Sequence, residues 1–368
     1  MTARIFLILL LLVPGVSDDG FQERSDLEME IGQMLLIGFR GTEIEAGSPI
    51  LKILRELNIG GVVLFDYDVP SKSFPRNIEN ADQVRRLTAS LQKVSKGRLL
   101  IAVDAEGGRI NRLKPEYGFL DIPSAAEMGL KEPEDCLTVY TGLAGQLADL
   151  GINMNLAPVA DLDINPENPV IGNLDRSFGA EPEAVLPCLR AFIRAHHRKG
   201  VLTTLKHFPG HGSSAQDSHN GLVDVTRTFI MEELVPYRDL IAEGLVDAVM
   251  TAHIHQRNID PDLPATLSSK FLQNILRCQL GFDGVIISDD MQMGAITEYY
   301  GFEEAVVLAL SAGCDIIAIA NNGRNYDKEA PRKAHRAILQ ALRDGTISEE
   351  RIRRSLARIS RLKGRLGN

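Results

Sequence analysis

The sequence predicts an α/β protein, a single (β/α)8 TIM-type barrel with C-terminal helices, and three observations lead there. Short, continuously apolar and β-branched runs recur along the chain, helical segments separate them, and there are eight such runs. Apolar runs without polar alternation are strands buried on both faces, as in a parallel sheet covered by helices. Eight of them imply a closed barrel rather than an open doubly wound sheet, and the absence of a glycine-rich phosphate fingerprint after the first strand argues against a dinucleotide-binding domain. Glu106-Gly107-Gly108-Arg109 has two adjacent glycines but not the rest of that spacing.

The runs, in order, are Met34 to Phe39, Gly61 to Phe65, Leu99 to Asp104 and Gly151 to Leu156. Val201 to Leu205, ending at Lys206, Ala248 to Ala252, Gly284 to Asp289 and Cys314 to Ala320 complete the set. Helical segments are read at Ile50 to Leu57, Ala81 to Val94, Leu137 to Leu150, Met231 to Glu243 and Phe302 to Ala312. Two terminal helices come after them, at Lys328 to Asp344 and Ser348 to Leu366.

A chain of 368 residues, 44% hydrophobic and 24% charged, can bury a full core, and barrels of this size are commonly one domain. The formal net charge of −9, with no basic stripe, argues against a nucleic-acid partner. At the start, Met1-Thr2-Ala3-Arg4 precedes the apolar segment Ile5 to Val13 and the small residues around Gly15 and Ser17. That order describes a secretory signal peptide, cleaved after Ser17 or retained as an anchor, and too short to span a bilayer comfortably. The expected organisation is therefore a signal segment at 1–17, one barrel domain at 18–368, and export to a periplasmic or extracellular space. No membrane contact is expected beyond that segment. Cys136, Cys188, Cys278 and Cys314 match no metal spacing, and buried free thiols are the expectation, although an oxidising compartment would permit a bridge.

In a barrel of this kind the active site lies at the C-terminal ends of the strands. Asp104 ends the third run, Lys206 and His207 the fifth, Asp289 the seventh, and His253 comes after the sixth. A single strand-end aspartate is commonly a cap or turn residue; several polar groups converging on one mouth point to a site. After the fifth run the chain reads Lys206-His207-Phe208-Pro209-Gly210-His211-Gly212 and then Asp217-Ser218-His219. Pro209, Gly210 and Gly212 make this a loop. Asp217 and His219, two apart, either form an acid–base pair on one side of an extended segment or belong to a solvated Asx turn. His207 and His211 are four apart, but Pro209 and Gly210 exclude the helix that would align them on a metal, and no metal or other cofactor is expected. Along the seventh run, alternation lets only one of Asp289 and Asp290 face the mouth.

The stretch Lys206 to Gly212 with Asp217-Ser218-His219 after it closely resembles the signature of the β-N-acetylhexosaminidase branch of glycoside hydrolase family 3. The likeness runs from about Glu30 to Asn322, and Ser213-Ser214 replaces an Asp-Thr pair common in the branch. The resemblance implies that Asp289, in Ser288-Asp289-Asp290-Met291, is the catalytic nucleophile. It further implies that His219 is the general acid/base and Asp217 its partner. It also implies substrate binding by Asp104 (in Val103-Asp104-Ala105-Glu106), by Arg176 (in Leu174-Asp175-Arg176-Ser177-Phe178), and by Lys206 and His207. A carboxylate can attack C1 of a sugar, and a histidine paired with an aspartate can give and take the proton near neutral pH. His211 is read as a loop organiser, Asp290 as a cap for the helix beginning near Met291, and Glu106 with Arg109 as a structural ion pair below the pocket; His253 and His255 are lesser candidates.

The function so implied is a retaining exo-β-N-acetylglucosaminidase that hydrolyses terminal non-reducing β-linked N-acetylhexosamine, as in cell-wall fragments. A phosphorylase on the same scaffold is an alternative, because a neutral histidine repels incoming phosphate less than a carboxylate does. A β-glucosidase-like hydrolase and a sugar-binding barrel without catalysis are the others.

Overall fold

The computed structural model describes residues 26–218 and 221–366; the segment read as a signal peptide and His219 lie outside the described residues. Eight strands form one sheet: β1 Leu35–Gly38, β2 Gly61–Leu64, β3 Leu100–Val103, β4 Met154–Asn155, β5 Leu202–Phe208, β6 Ala248–Thr251, β7 Val285–Ile287 and β8 Ile317–Ile319. Every neighbouring pair is parallel and keeps chain order, with β1 also paired to β8. A parallel bridge between Ile287 and Ile316, and the Ser288 N–H donated to the Ile316 carbonyl at 2.9 Å, close the ring between β7 and β8. The (β/α)8 barrel read from the sequence is thus the fold, with all eight strands within or beside the expected runs. Their residues are buried throughout, which is why they read as unbroken apolar runs.

The barrel is sheathed by α1 Pro49–Leu57, α2 Ala81–Val94, α3 Pro133–Asp149, α4 Pro182–Arg198, α5 Val235–Ala242, the helical segment Lys270–Gln279 and α6 Phe302–Ala312. The two terminal helices are α7 Ala330–Arg343 and α8 Glu349–Gly364. Their starts reflect local chemistry. The Asn80 side chain accepts the Gln83 N–H ahead of α2, the Ser348 hydroxyl accepts the Arg351 N–H ahead of α8, and prolines open α1, α3 and α4. The thiols depart from expectation. Cys136 of α3 and Cys188 of α4 form a disulfide across the packed pair of helices, Cys278 is exposed, and only Cys314 is a buried free thiol. Among the described residues no helix is long and apolar enough to cross a membrane.

Helix α8 lies at the end of the barrel away from the strand C-termini. Asp315, just before β8, is buried and held by Arg277 at 2.6 Å, Arg351 at 3.4 Å, Arg358 at 3.5 Å and the Ser355 hydroxyl at 2.6 Å. Its Oδ2 also accepts the Ile286 N–H at 3.0 Å, so one carboxylate spans the β7–β8 seam. Lys363 of α8 is buried and donates to Gln33 Oε1 at 2.7 Å and the Gly60 carbonyl at 2.8 Å.

Candidate active site

The C-terminal ends of the strands gather a chain of charges. Lys206, at the end of β5, is buried and pairs with Asp104 after β3 at 2.9 Å and with Glu106 at 2.7 Å. Glu106 in turn accepts two bonds from Arg176, in the loop after β4, both at 2.8 Å. Arg176 also donates to the Val170 carbonyl at 2.8 Å and lies 3.3 Å from His207 Nε2. At the other end of the chain of charges Arg112 lies 3.5 Å from Asp104. Three cations and two carboxylates alternate, so none is left uncompensated in low dielectric. Burial alone would raise the Glu106 carboxyl, but the charges of Arg176 and Lys206 outweigh it and bring it down to about 2. Asp104 goes down for the same reason, against its burial, and Lys206 and Arg176 go up because their carboxylate partners outweigh desolvation. The result is a rigid, fully ionised set of donors and acceptors suited to sugar hydroxyls.

Adjacent strand residues point to opposite faces, yet both Lys206 and His207 serve this mouth. The β5–β6 register accounts for it: Leu205 pairs with Val249, whereas Phe208 pairs with Thr251, so β5 carries one extra residue there. Such a bulge re-aims side chains beside a site.

The loop after β5 is anchored on Asp161, after β4. The buried carboxylate of Asp161 pairs with His207 Nδ1 at 2.6 Å and accepts the backbone N–H groups of His207 and His211, the latter at 2.8 Å. Asn168 donates to the carbonyls of His211 and Gly212. Gly212 packs against the Leu162 carbonyl so closely that a Cβ there would lie 1.6 Å from its oxygen, which requires glycine. His211 is buried, bonds Ser214 Oγ at 2.9 Å and lies 3.3 Å from Ser218 Oγ; burial pushes its imidazole down to about 4. It is the loop organiser the sequence suggests. The loop then crosses towards β7, where the Ser218 carbonyl accepts the Ala295 N–H at 3.1 Å. Asp217, half-buried, is thereby brought to the β7 side of the mouth. Its expected partner His219 lies outside the described residues.

Asp289 comes after β7 at the mouth, half-buried. Its backbone N–H meets Thr251 Oγ1 at 3.4 Å and its Oδ1 accepts the Asp290 N–H at 2.7 Å. Asp290 turns instead into the backbone, accepting the N–H groups of Gln292 at 3.2 Å and Ala320 at 3.0 Å, which is a capping role. His253 is buried between Thr266 Oγ1 at 2.8 Å and the Asp290 carbonyl at 3.0 Å, and so holds the Asp289–Asp290 turn.

One expected pairing is not formed. Glu106 does not pair with Arg109; it is taken by Arg176 and Lys206, while Arg109 is exposed and donates to the Asn173 carbonyl. The strand-end rule applied to Ala157-Pro158-Val159-Ala160-Asp161 would have found Asp161. Arg112 had no such signal, since a short hairpin, Ala105–Gly107 with Ile110–Asn111, folds it back towards Asp104.

A barrel with an ionised chain of donors and acceptors and a further aspartate at one mouth suits chemistry on a polyhydroxylated substrate such as a glycoside. The family model "Glycosyl hydrolase family 3 N terminal domain" matches residues 26–362, and the chain belongs to glycosyl hydrolase family 3. It is 36% identical over 292 residues to a β-hexosaminidase of Tolumonas auensis, covering 78% of this chain and 83% of that one. It also resembles the structure of a glycoside hydrolase family 3 β-N-acetylglucosaminidase from Paenibacillus sp. FPU-7, with a TM-score of 0.83 and 38% identity over 92% of this chain. This chain spans 62% of that longer one. A β-N-acetylhexosaminidase from Beutenbergia cavernae superposes with a TM-score of 0.79 at 29% identity, covering 92% of this chain and 98% of that one.

Proposed function

We propose that the protein is a retaining exo-β-N-acetylglucosaminidase that removes terminal non-reducing β-linked N-acetylhexosamine, with cell-wall fragments as its substrates. The observation that carries this reading is the chain of contacts Arg112–Asp104–Lys206–Glu106–Arg176–His207 on the same barrel mouth as Asp289. Asp104, Lys206, Arg176 and His207 hold the hydroxyls of the terminal sugar. Asp289 attacks C1 as the glycosidic oxygen takes a proton from His219, whose imidazolium Asp217 stabilises. Water then attacks C1 of the glycosyl-enzyme, His219 takes its proton, and two inversions give retention. A histidine in this role avoids a second anion beside an attacking carboxylate. The names of the relatives support the N-acetylhexosamine specificity. The apolar segment Ile5 to Val13 supports export, and the Cys136–Cys188 bond agrees with an oxidising compartment.

The test is hydrolysis of a chromogenic β-N-acetylglucosaminide by wild type, Asp289→Ala and His219→Ala, with and without phosphate. Activity confined to wild type and indifferent to phosphate supports the reading. Phosphate-dependent turnover that yields a sugar phosphate replaces it with a phosphorylase, and cleavage of the β-glucoside alone overturns the substrate.

A further inference from the structure

Beneath the loop that carries Asp217 lies a carboxyl group with no part in the chemistry above. Glu233 sits in the helical turn Met231–Leu234 that leads into α5, and only 1% of it is exposed. Its two oxygens accept long bonds from backbone N–H groups, Ser213 at 3.3 Å and Ile230 at 3.4 Å. The loop lies flat upon it: a Cβ at Gly210 would come within 2.7 Å of Glu233 Cβ and 2.8 Å of Oε2. Gly210 itself has a φ of 138°, so both the contact and the backbone require glycine.

Among the described residues, the groups that act on Glu233 bring no positive charge. From the loop, Ser213 also faces Glu233 with its buried hydroxyl. From α5 comes Tyr237, whose buried hydroxyl has no hydrogen-bond partner among the described residues. From the β4 side comes Asp161, an anion already engaged with His207 and His211. Burial, with the Asp161 charge adding to it, raises the Glu233 carboxyl to about 7 against the bonds from Ser213 and Ile230 that favour its anion.

We propose that Glu233 is a positioning residue: the segment from Gly210 to Asp217 rests in its working place on this carboxyl, and a negative charge there unseats it. An open loop exposes Glu233 to water, where it ionises as an ordinary glutamate. A carboxyl raised in the seated state stabilises that state fully below 4.5, and the stabilisation is lost as pH rises through about 7. The enzyme then carries an alkaline limit in addition to the loss of the His219 proton, set by a group that does not touch the substrate.

Glu233→Gln keeps the shape and removes the charge; Glu233→Met, neutral and of similar length, serves if the amide does not fold. The kinetic arm rests on the glycosidase reading and compares kcat/KM for the chromogenic β-N-acetylglucosaminide between about pH 5 and about pH 9. The expected result is an alkaline limb moved upward by about one pH unit in the variant with the acid limb unmoved, which a merely structural role does not produce. The second arm is independent of activity: hydrogen exchange of residues 209–218, corrected for intrinsic rates, at both ends of that range. Wild type gains exchange as pH rises and the variant does not. Superimposed pH profiles together with superimposed exchange overturn the proposal. A wild type without glycosidase activity overturns the glycosidase reading, and the exchange arm still decides the role of Glu233.

Discussion

Replacing Glu106 with glutamine removes one charge from the middle of the mouth and changes little else. The carboxylate binds Arg176 through both oxygens and Lys206 through one, and it is buried. An ordinary glutamate takes a proton near 4.5 and this one near 2, a gap worth about 3 kcal/mol. Breaking a buried pair by removing one partner costs about 3 to 5 kcal/mol, so the two figures agree. The sign comes from the depressed value: the stabilisation is present above 4.5 and lost as pH falls through about 2. Glu106→Gln should therefore lose about 3 kcal/mol of unfolding free energy at pH 7, read as a lower urea midpoint with an unchanged m-value, and the difference from wild type should close in acid. Arg176, freed from its clamp, should also lose its aim, and kcat/KM for the β-N-acetylglucosaminide should fall about 100-fold. A variant within about 1 kcal/mol of wild type at pH 7, or a gap that persists at low pH, would refute the view that ionisation of Glu106 holds the mouth together.

Asp289→Ala should abolish hydrolysis while leaving the circular dichroism spectrum and melting temperature near wild type, whereas Asp290→Ala, which strips two backbone caps, should lower the melting temperature. Replacing Cys136 and Cys188 with serine opens a loop of 52 residues, and by loop entropy the oxidised protein should be more stable than the variant by about 4 kcal/mol in chemical unfolding. Burial pushes the Lys363 amine down to about 7 from 10.5. The unfolded chain holds that proton between these values, so stability should rise with pH across them; Lys363→Met should flatten the slope and be the more stable protein at about pH 6.

The barrel was legible because strands buried on both faces announce themselves as apolar runs, and β2, β5 and β8 show how little else is needed. Asp104, Lys206, His207 and Asp289 are candidates by their place at strand ends, while the choice of Asp289 over Asp290 and the roles of all four come from the family resemblance. What stayed hidden depends on contacts between distant segments. Glu106 meets Arg176 only because the loops after β3 and β4 converge, and Cys136 meets Cys188 only because α3 packs on α4. Asp161 lies within reach of the strand-end rule, but the apolar run that marks β4 ends at Leu156, before the chain passes Pro158. Arg109, beside Glu106 in sequence, drew a pairing that the hairpin turns away from the pocket.

Asp315 ties the last joint of the barrel to its last helix. The seam between β7 and β8 is held by few backbone bonds, and Arg351, Ser355 and Arg358, which hold its carboxylate, all come from α8. A substitution on α8 therefore reaches the barrel itself: without Arg351, Ser355 and Arg358, the buried carboxylate at the seam would keep Arg277 alone among the cations that hold it.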